Sequence, residues 1–221
     1  MREYIKENSK KKLREYYLFK SIPVFVKDQV NENISVQNVL KAIEQRIPKK
    51  LFNNLDVIYV GQFEDLVERE VSAAYLNGAI YLDHNISSEE DFVENITHEL
   101  AHCVEVTRSR QLYADGILER EFIEKRKKLL SILLQQGYKL KDKAVFFDAE
   151  YNEDFDELLY QEIGYLALTG LSSSLFFSPY GITSLREYYA NGFEAYFSGK
   201  ARELKRVSPV LFKKISEELI D

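Results

Sequence analysis

The chain has 221 residues, of which 45% are hydrophobic and 30% charged, with a net charge of -6. An acidic chain with its lysines and arginines dispersed offers no basic footprint for nucleic acid, and no run is long and apolar enough to span a membrane. Its single cysteine, Cys103, excludes an internal disulfide, and residues 1–6 lack the apolar stretch of a secretory signal. The expectation is one α+β domain that is cytoplasmic as encoded, with later release or incorporation in an assembly left open.

In chain order, residues 2–20 are rich in Lys, Glu and Tyr and read as a first helix, docked by Tyr16, Tyr17 and Phe19, with Lys10, Lys11 and Lys12 on a solvated face. Pro23 breaks that pattern, and Val24, Phe25 and Val26 suggest a short strand. Ser35 caps a helix to about Ile47, with Val36, Val39, Leu40 and Ile43 on one face and Pro48 as its stop. Residues 55–60 are β-rich. Residues 71–75, then Asn77-Gly78, then residues 79–82 carry a hairpin signal.

A helix with one unusual feature follows. Residues 87–91 read as a cap and an acidic first turn, and Phe92, Val93, Ile96, Leu100 and Val104 recur near helical spacing. Within it stands His98-Glu99-Leu100-Ala101-His102. Residues four apart lie on one face of a helix, so His98 and His102 aim two imidazoles at one point, and neutral imidazole is a good zinc ligand. Glu99 adjoins the first ligand, where its carboxylate reaches a metal-bound water whose pKa the ion has lowered. This spacing is that of the metalloprotease motif. The plainer alternative is two solvated histidines on an ordinary amphipathic helix.

Residues 117–134 read as a long charged helix ended by Gly137. Residues 148–157 form an acidic block that leads into another helix ending near Gly170. The block lacks the spacing and central glycine of a calcium loop, so a solvated acidic helix start is expected. After a serine-rich loop, Ser184 caps a helix with Glu187 three residues on, as in a capping box. A last helix surrounds Leu211 and Ile215.

A catalytic zinc takes three protein ligands and a water. His84 is the remaining histidine and lies outside the motif helix. Cys103 points about 100° away from His102. Glu105 shares the face of His98 but stands a full turn further along. A distant carboxylate suits a tetrahedron better, and Glu162, Glu187 and Glu194 all sit on helices with apolar neighbours.

Two features resemble known metallopeptidases. The order of helix, two strands, hairpin and motif helix is similar to the upper lobe of the zincins. That likeness implies a small mixed sheet above the site, with an edge strand that binds the extended substrate backbone. Ala79, Ile80 and Tyr81 are expected to supply this edge, with residues 73–75 of the other hairpin arm as the alternative. Peptide addition to a sheet edge is a common mode of recognition. The stretch Tyr180-Gly181-Ile182-Thr183-Ser184-Leu185-Arg186-Glu187-Tyr188-Tyr189-Ala190 resembles the end of the anthrax lethal factor catalytic domain and of the Pro-Pro endopeptidases. The likeness extends over residues 50–107 and 176–220. It implies that Glu187 is the third zinc ligand and that Tyr180 donates its phenol to the oxyanion of the tetrahedral intermediate. The chain departs from that family in a longer separation of His102 from Glu187 and in Asn191, where the lethal factor helix has an acidic residue.

The expected molecule is a zinc endopeptidase with a zincin-like fold, acting on a protein or peptide substrate. Residues 1–107 would form the lobe with the sheet and motif helix, 108–175 a helical insertion, and 176–221 the lobe with the third ligand. Its rival is a non-catalytic binding or structural protein that keeps zinc on the same scaffold.

Overall fold

A computed structural model describes residues 13–220, in a mixed α+β arrangement that divides into two units, Met1–Thr107 and Arg108–Asp221. The first unit is built on a five-stranded mixed sheet of order β1-β2-β3-β5-β4. Strands β1 (Arg14–Leu18) and β2 (Ile22–Val26) pair antiparallel, and β2 pairs parallel with β3 (Val57–Val60). β3 pairs parallel with β5 (Ala79–Leu82), which pairs antiparallel with β4 (Ala73–Leu76).

Alternation sets the two faces of this sheet. Val24, Val26, Ile58, Val60, Ile80 and Leu82 are buried on one. Phe25, Tyr59 and Tyr81 line the other, in register across three strands, with ring centroids 5.8 and 5.4 Å apart. Helix α1 (Val36–Arg46) buries Val36, Val39, Leu40 and Ile43, and its cap Ser35 accepts from the Asn38 N–H. A short helix α2 (Glu64–Glu68) precedes β4. The hairpin turn has positive φ at both Asn77 and Gly78, the I′ geometry that follows the twist of the strands. A Cβ at Gly78 would stand 2.5 Å from Asp56 Oδ2, a second reason for glycine there.

One sequence expectation fails. Residues 14–18 form a strand rather than the end of a first helix, and Phe19 and Lys20 turn the chain at φ of 52° and 58° into β2. The Tyr-rich segment satisfies its backbone by pairing with β2, and that pairing overrides the helical reading of its charges. Pro23 is tolerated because β3 joins β2 only from Val24 onward. The remainder of the expected first helix, with Lys10, Lys11 and Lys12, lies outside the described residues.

The motif helix α3 (Glu89–Tyr113) has non-helical backbone angles at Arg108, where the second unit begins. That unit is helical among its described residues. Helix α4 (Ile117–Gln135) carries three buried or half-buried charged side chains that hold the other segments. Arg126, 1% exposed, donates to the carbonyls of Asp148, at 2.7 Å, and Val145, and lies 3.9 Å from the Phe155 ring centroid. Lys125 and Glu121 make comparable clamps.

Only the second half of the acidic block is helical, as α5 (Glu153–Glu157), capped by Asn152 and extended by a π-type turn, Leu158–Ile163. Gly164, at φ of 86°, separates it from α6 (Tyr165–Ser172), so the block and the helix after it are two elements rather than one. A 3-10 turn, Tyr180–Ile182, leads to α7 (Leu185–Ala195). Helices α8 (Ala201–Val207) and α9 (Pro209–Lys213) follow. No helix among the described residues is long and apolar enough to cross a membrane.

Candidate metal centre

The apolar positions of α3 are filled by Phe92, Val93, Ile96, Leu100, Ala101, Cys103 and Val104, all buried. This fixes the rotation of the helix, and with it the direction of the polar residues between them. His98 and His102 follow one another along the helix, with ring centroids 5.1 Å apart and planes 77° apart. Glu99 is 7% exposed.

His102 is also buried, and its Nδ1 lies 3.5 Å from Glu105 Oε2. A carboxylate on this side of a histidine is a common support where the imidazole binds a metal. Glu105 thus stands beside His102 on the same helix. The i, i+3 spacing carried that signal in the sequence.

In the second unit, Glu187 is the third residue of α7. Its N–H donates to Ser184 Oγ at 3.2 Å, as the capping box requires. Tyr188, Tyr189 and Ala190 are buried and anchor the helix, while Glu187 is half-buried. The start of α7 is braced further by the Leu185 N–H, which donates to the Ala149 carbonyl at 2.8 Å. Arg126 holds the segment containing Ala149 through Val145 and Asp148. The stretch expected to be an insertion thus supports the helix that carries Glu187, a role that no motif in it announces.

Tyr180 opens the 3-10 turn, is 38% exposed, and has its carbonyl held by the N–H and hydroxyl of Thr183. His84 is engaged with Asp83, Nδ1 to Oδ1 at 3.0 Å. Glu162 is exposed, and Glu194 is half-buried two turns beyond Glu187.

One ligand atom each from His98, His102 and Glu187 all lie within 4.8 Å of one another, and among the described residues this is the group of His, Cys, Asp or Glu side chains so placed. Tetrahedral zinc with bonds of about 2.1 Å sets neighbouring ligand atoms about 3.4 Å apart. Two imidazoles and a carboxylate are also the donor set of a catalytic zinc site with one position left for water.

The expected substrate strand needs correction. β5 is paired on both sides, by β3 and β4, so Ala79, Ile80 and Tyr81 have no free backbone edge, and Ala79 and Ile80 are buried. Among the described residues the outer strand on this side of the sheet is β4, the hairpin's other arm. Sequence alone could not order the two arms, because both carry the same apolar character.

No family model, no curated protein and no solved structure matches the chain.

Proposed function

We propose that the protein is a zinc-dependent endopeptidase of zincin-like architecture, similar in its motif helix and in residues 180–190 to the lethal factor catalytic domain and the Pro-Pro endopeptidases. The observation that carries the reading is the grouping of His98, His102 and Glu187. The first two are a motif pair, and the third comes from a helix far along the chain. These residues would hold the ion. Zinc, when bound, supplies Lewis acidity that polarises a carbonyl and acidifies a water.

The chain's own residues do the rest. Glu99 takes the proton of the water that attacks the scissile carbonyl carbon. As the C–N bond breaks, Glu99 returns that proton to the leaving amine. Tyr180 donates its phenolic proton in a hydrogen bond to the oxygen that gains negative charge. The extended substrate adds to the outer edge of β4, the end strand of the sheet among the described residues.

The test is elemental analysis of the purified protein combined with cleavage of a random peptide library read by mass spectrometry. About one zinc per chain is expected, with cleavage that stops on addition of a chelator and in Glu99→Gln. A wild-type protein that holds zinc and cuts no member of the library overturns the reading.

A further inference from the structure

The turn that carries Tyr180 is tied to the helix that carries Glu187 by a two-step relay. The Gly181 N–H donates to Ser178 Oγ at 3.2 Å, and the Ser178 hydroxyl in turn donates to Asn191 Oδ1. Asn191 is 8% exposed and stands four residues after Glu187, on the same face of α7. The approach of the turn to this side chain is close. A Cβ at Gly181 would lie 2.9 Å from Asn191 Oδ1 and 3.2 Å from its Cγ, so any larger residue would have to displace the Asn191 side chain. On the other flank, the Thr183 N–H and hydroxyl hold the Tyr180 carbonyl at 3.0 and 2.8 Å. The backbone of Tyr180 is thus fixed from both sides, and the residue as a whole is 38% exposed.

We infer that Asn191 is a positioning residue. Through Ser178 and the Gly181 amide it sets where the Tyr180 phenol stands relative to Glu187, an inference that rests on the catalytic reading of Tyr180 above. The Ser178 hydroxyl needs an acceptor, and the Asn191 carboxamide oxygen supplies it. Ser178 is the intermediate because its hydroxyl accepts from the amide and donates to Asn191 at once.

The test compares Asn191→Ala, Ser178→Ala and Ser178→Thr on a library peptide that the wild type cleaves. Misplacing a catalytic group by about 1 Å costs on the order of 10²-fold in rate. The two alanine variants should therefore lose about that factor in kcat, with KM and zinc content near wild type, and Ser178→Thr, which keeps the hydroxyl, should recover most of it. In a Tyr180→Phe background the alanine changes should add little, because the group they position is already gone. Hydrogen exchange gives a readout free of turnover. The Gly181 amide should exchange faster in Ser178→Ala and in Asn191→Ala than in wild type, and no faster in Tyr180→Phe. Unchanged kcat together with unchanged Gly181 exchange in both alanine variants overturns the inference while leaving the peptidase reading intact. A wild type that cleaves nothing removes both.

Discussion

Glu121 accepts the Tyr188 hydroxyl at 2.8 Å, and its carboxylate also accepts the N–H groups of Val210 at 2.9 Å and Leu211 at 3.2 Å. One side chain on α4 therefore holds the residue next to Glu187 and caps the first turn of α9. Burial, with the adjacent Glu121 charge, pushes the Tyr188 phenol well above its usual range, so it remains a donor. Replacing the carboxylate by an amide removes acceptor capacity and leaves at least one buried donor without a partner, at a cost of about 1–3 kcal/mol. Glu121→Gln should lower the urea midpoint accordingly without changing the slope of the transition, and Glu121→Leu should lower it more. An unchanged midpoint in Glu121→Leu means that the three hydrogen bonds contribute nothing net.

Metal binding separates ligands from their supports. His98→Ala, His102→Ala and Glu187→Ala should each lose most of the zinc, because each removes one member of the three-residue group proposed to hold it. Glu105 stands beside His102 rather than in the donor group, so Glu105→Ala should keep zinc but bind it about 10–100-fold more weakly. Glu194→Ala should not alter affinity. Competition against a chromophoric chelator measures all five. If Glu105→Ala empties the site and Glu187→Ala does not, the ligand assignment is wrong.

Much of this arrangement was legible in the residues. The histidine pair follows from helical spacing alone, the cap at Ser184 from the capping-box pattern, and the hairpin from Asn77-Gly78, each a local rule with a local cause. What failed to show depends on partners distant in sequence. The strand at Arg14–Leu18 is defined by its pairing with β2, and the interior place of β5 by a parallel neighbour, β3. The brace from Arg126 to residues 145–148 and the relay from Gly181 to Asn191 join side chains to backbone groups whose positions no periodicity encodes. Glu187 lay between these cases. Its cap was readable, but among several helical glutamates only a likeness to known metallopeptidases singled it out.

Lys125 predicts a pH dependence. The residue is 5% exposed, and its ammonium donates to the carbonyls of Leu175 and Val207, both at 2.7 Å, and to Ser208 Oγ at 2.8 Å. Burial pulls its pKa down to about 8. An unfolded lysine titrates near 10.4. Between these values the unfolded chain binds a proton that the folded chain has released, so the stability attributable to Lys125 rises with pH, by at most about 1.4 kcal/mol per unit. Below about pH 8 both states are charged and the dependence vanishes. Lys125→Met leaves two carbonyls and a hydroxyl without their donor, at about 1–3 kcal/mol for each group left unsatisfied. Urea titrations of both proteins from pH 7 to 10 should show a stability difference that is level at first and then widens. A difference that stays level throughout shows that Lys125 keeps its proton when folded.

Glu99 and Tyr180 distinguish chemistry from metal binding. Neither belongs to the donor group of His98, His102 and Glu187, so Glu99→Gln and Tyr180→Phe should both fold and retain zinc. Glutamine has nearly the shape of glutamate but cannot take the proton of the attacking water, and turnover should almost vanish. Phenylalanine keeps the ring of Tyr180 and loses only its hydroxyl. Removal of one oxyanion donor typically costs about 10²–10³ in rate. Because that hydrogen bond strengthens only as charge develops, the loss should fall on kcat and leave KM nearly unchanged. The measurement is steady-state cleavage of a library peptide by wild type and both variants, with zinc determined in each preparation. Wild-type turnover by Tyr180→Phe would show that the phenol takes no part in the reaction. Wild-type turnover by Glu99→Gln would assign the base to another residue.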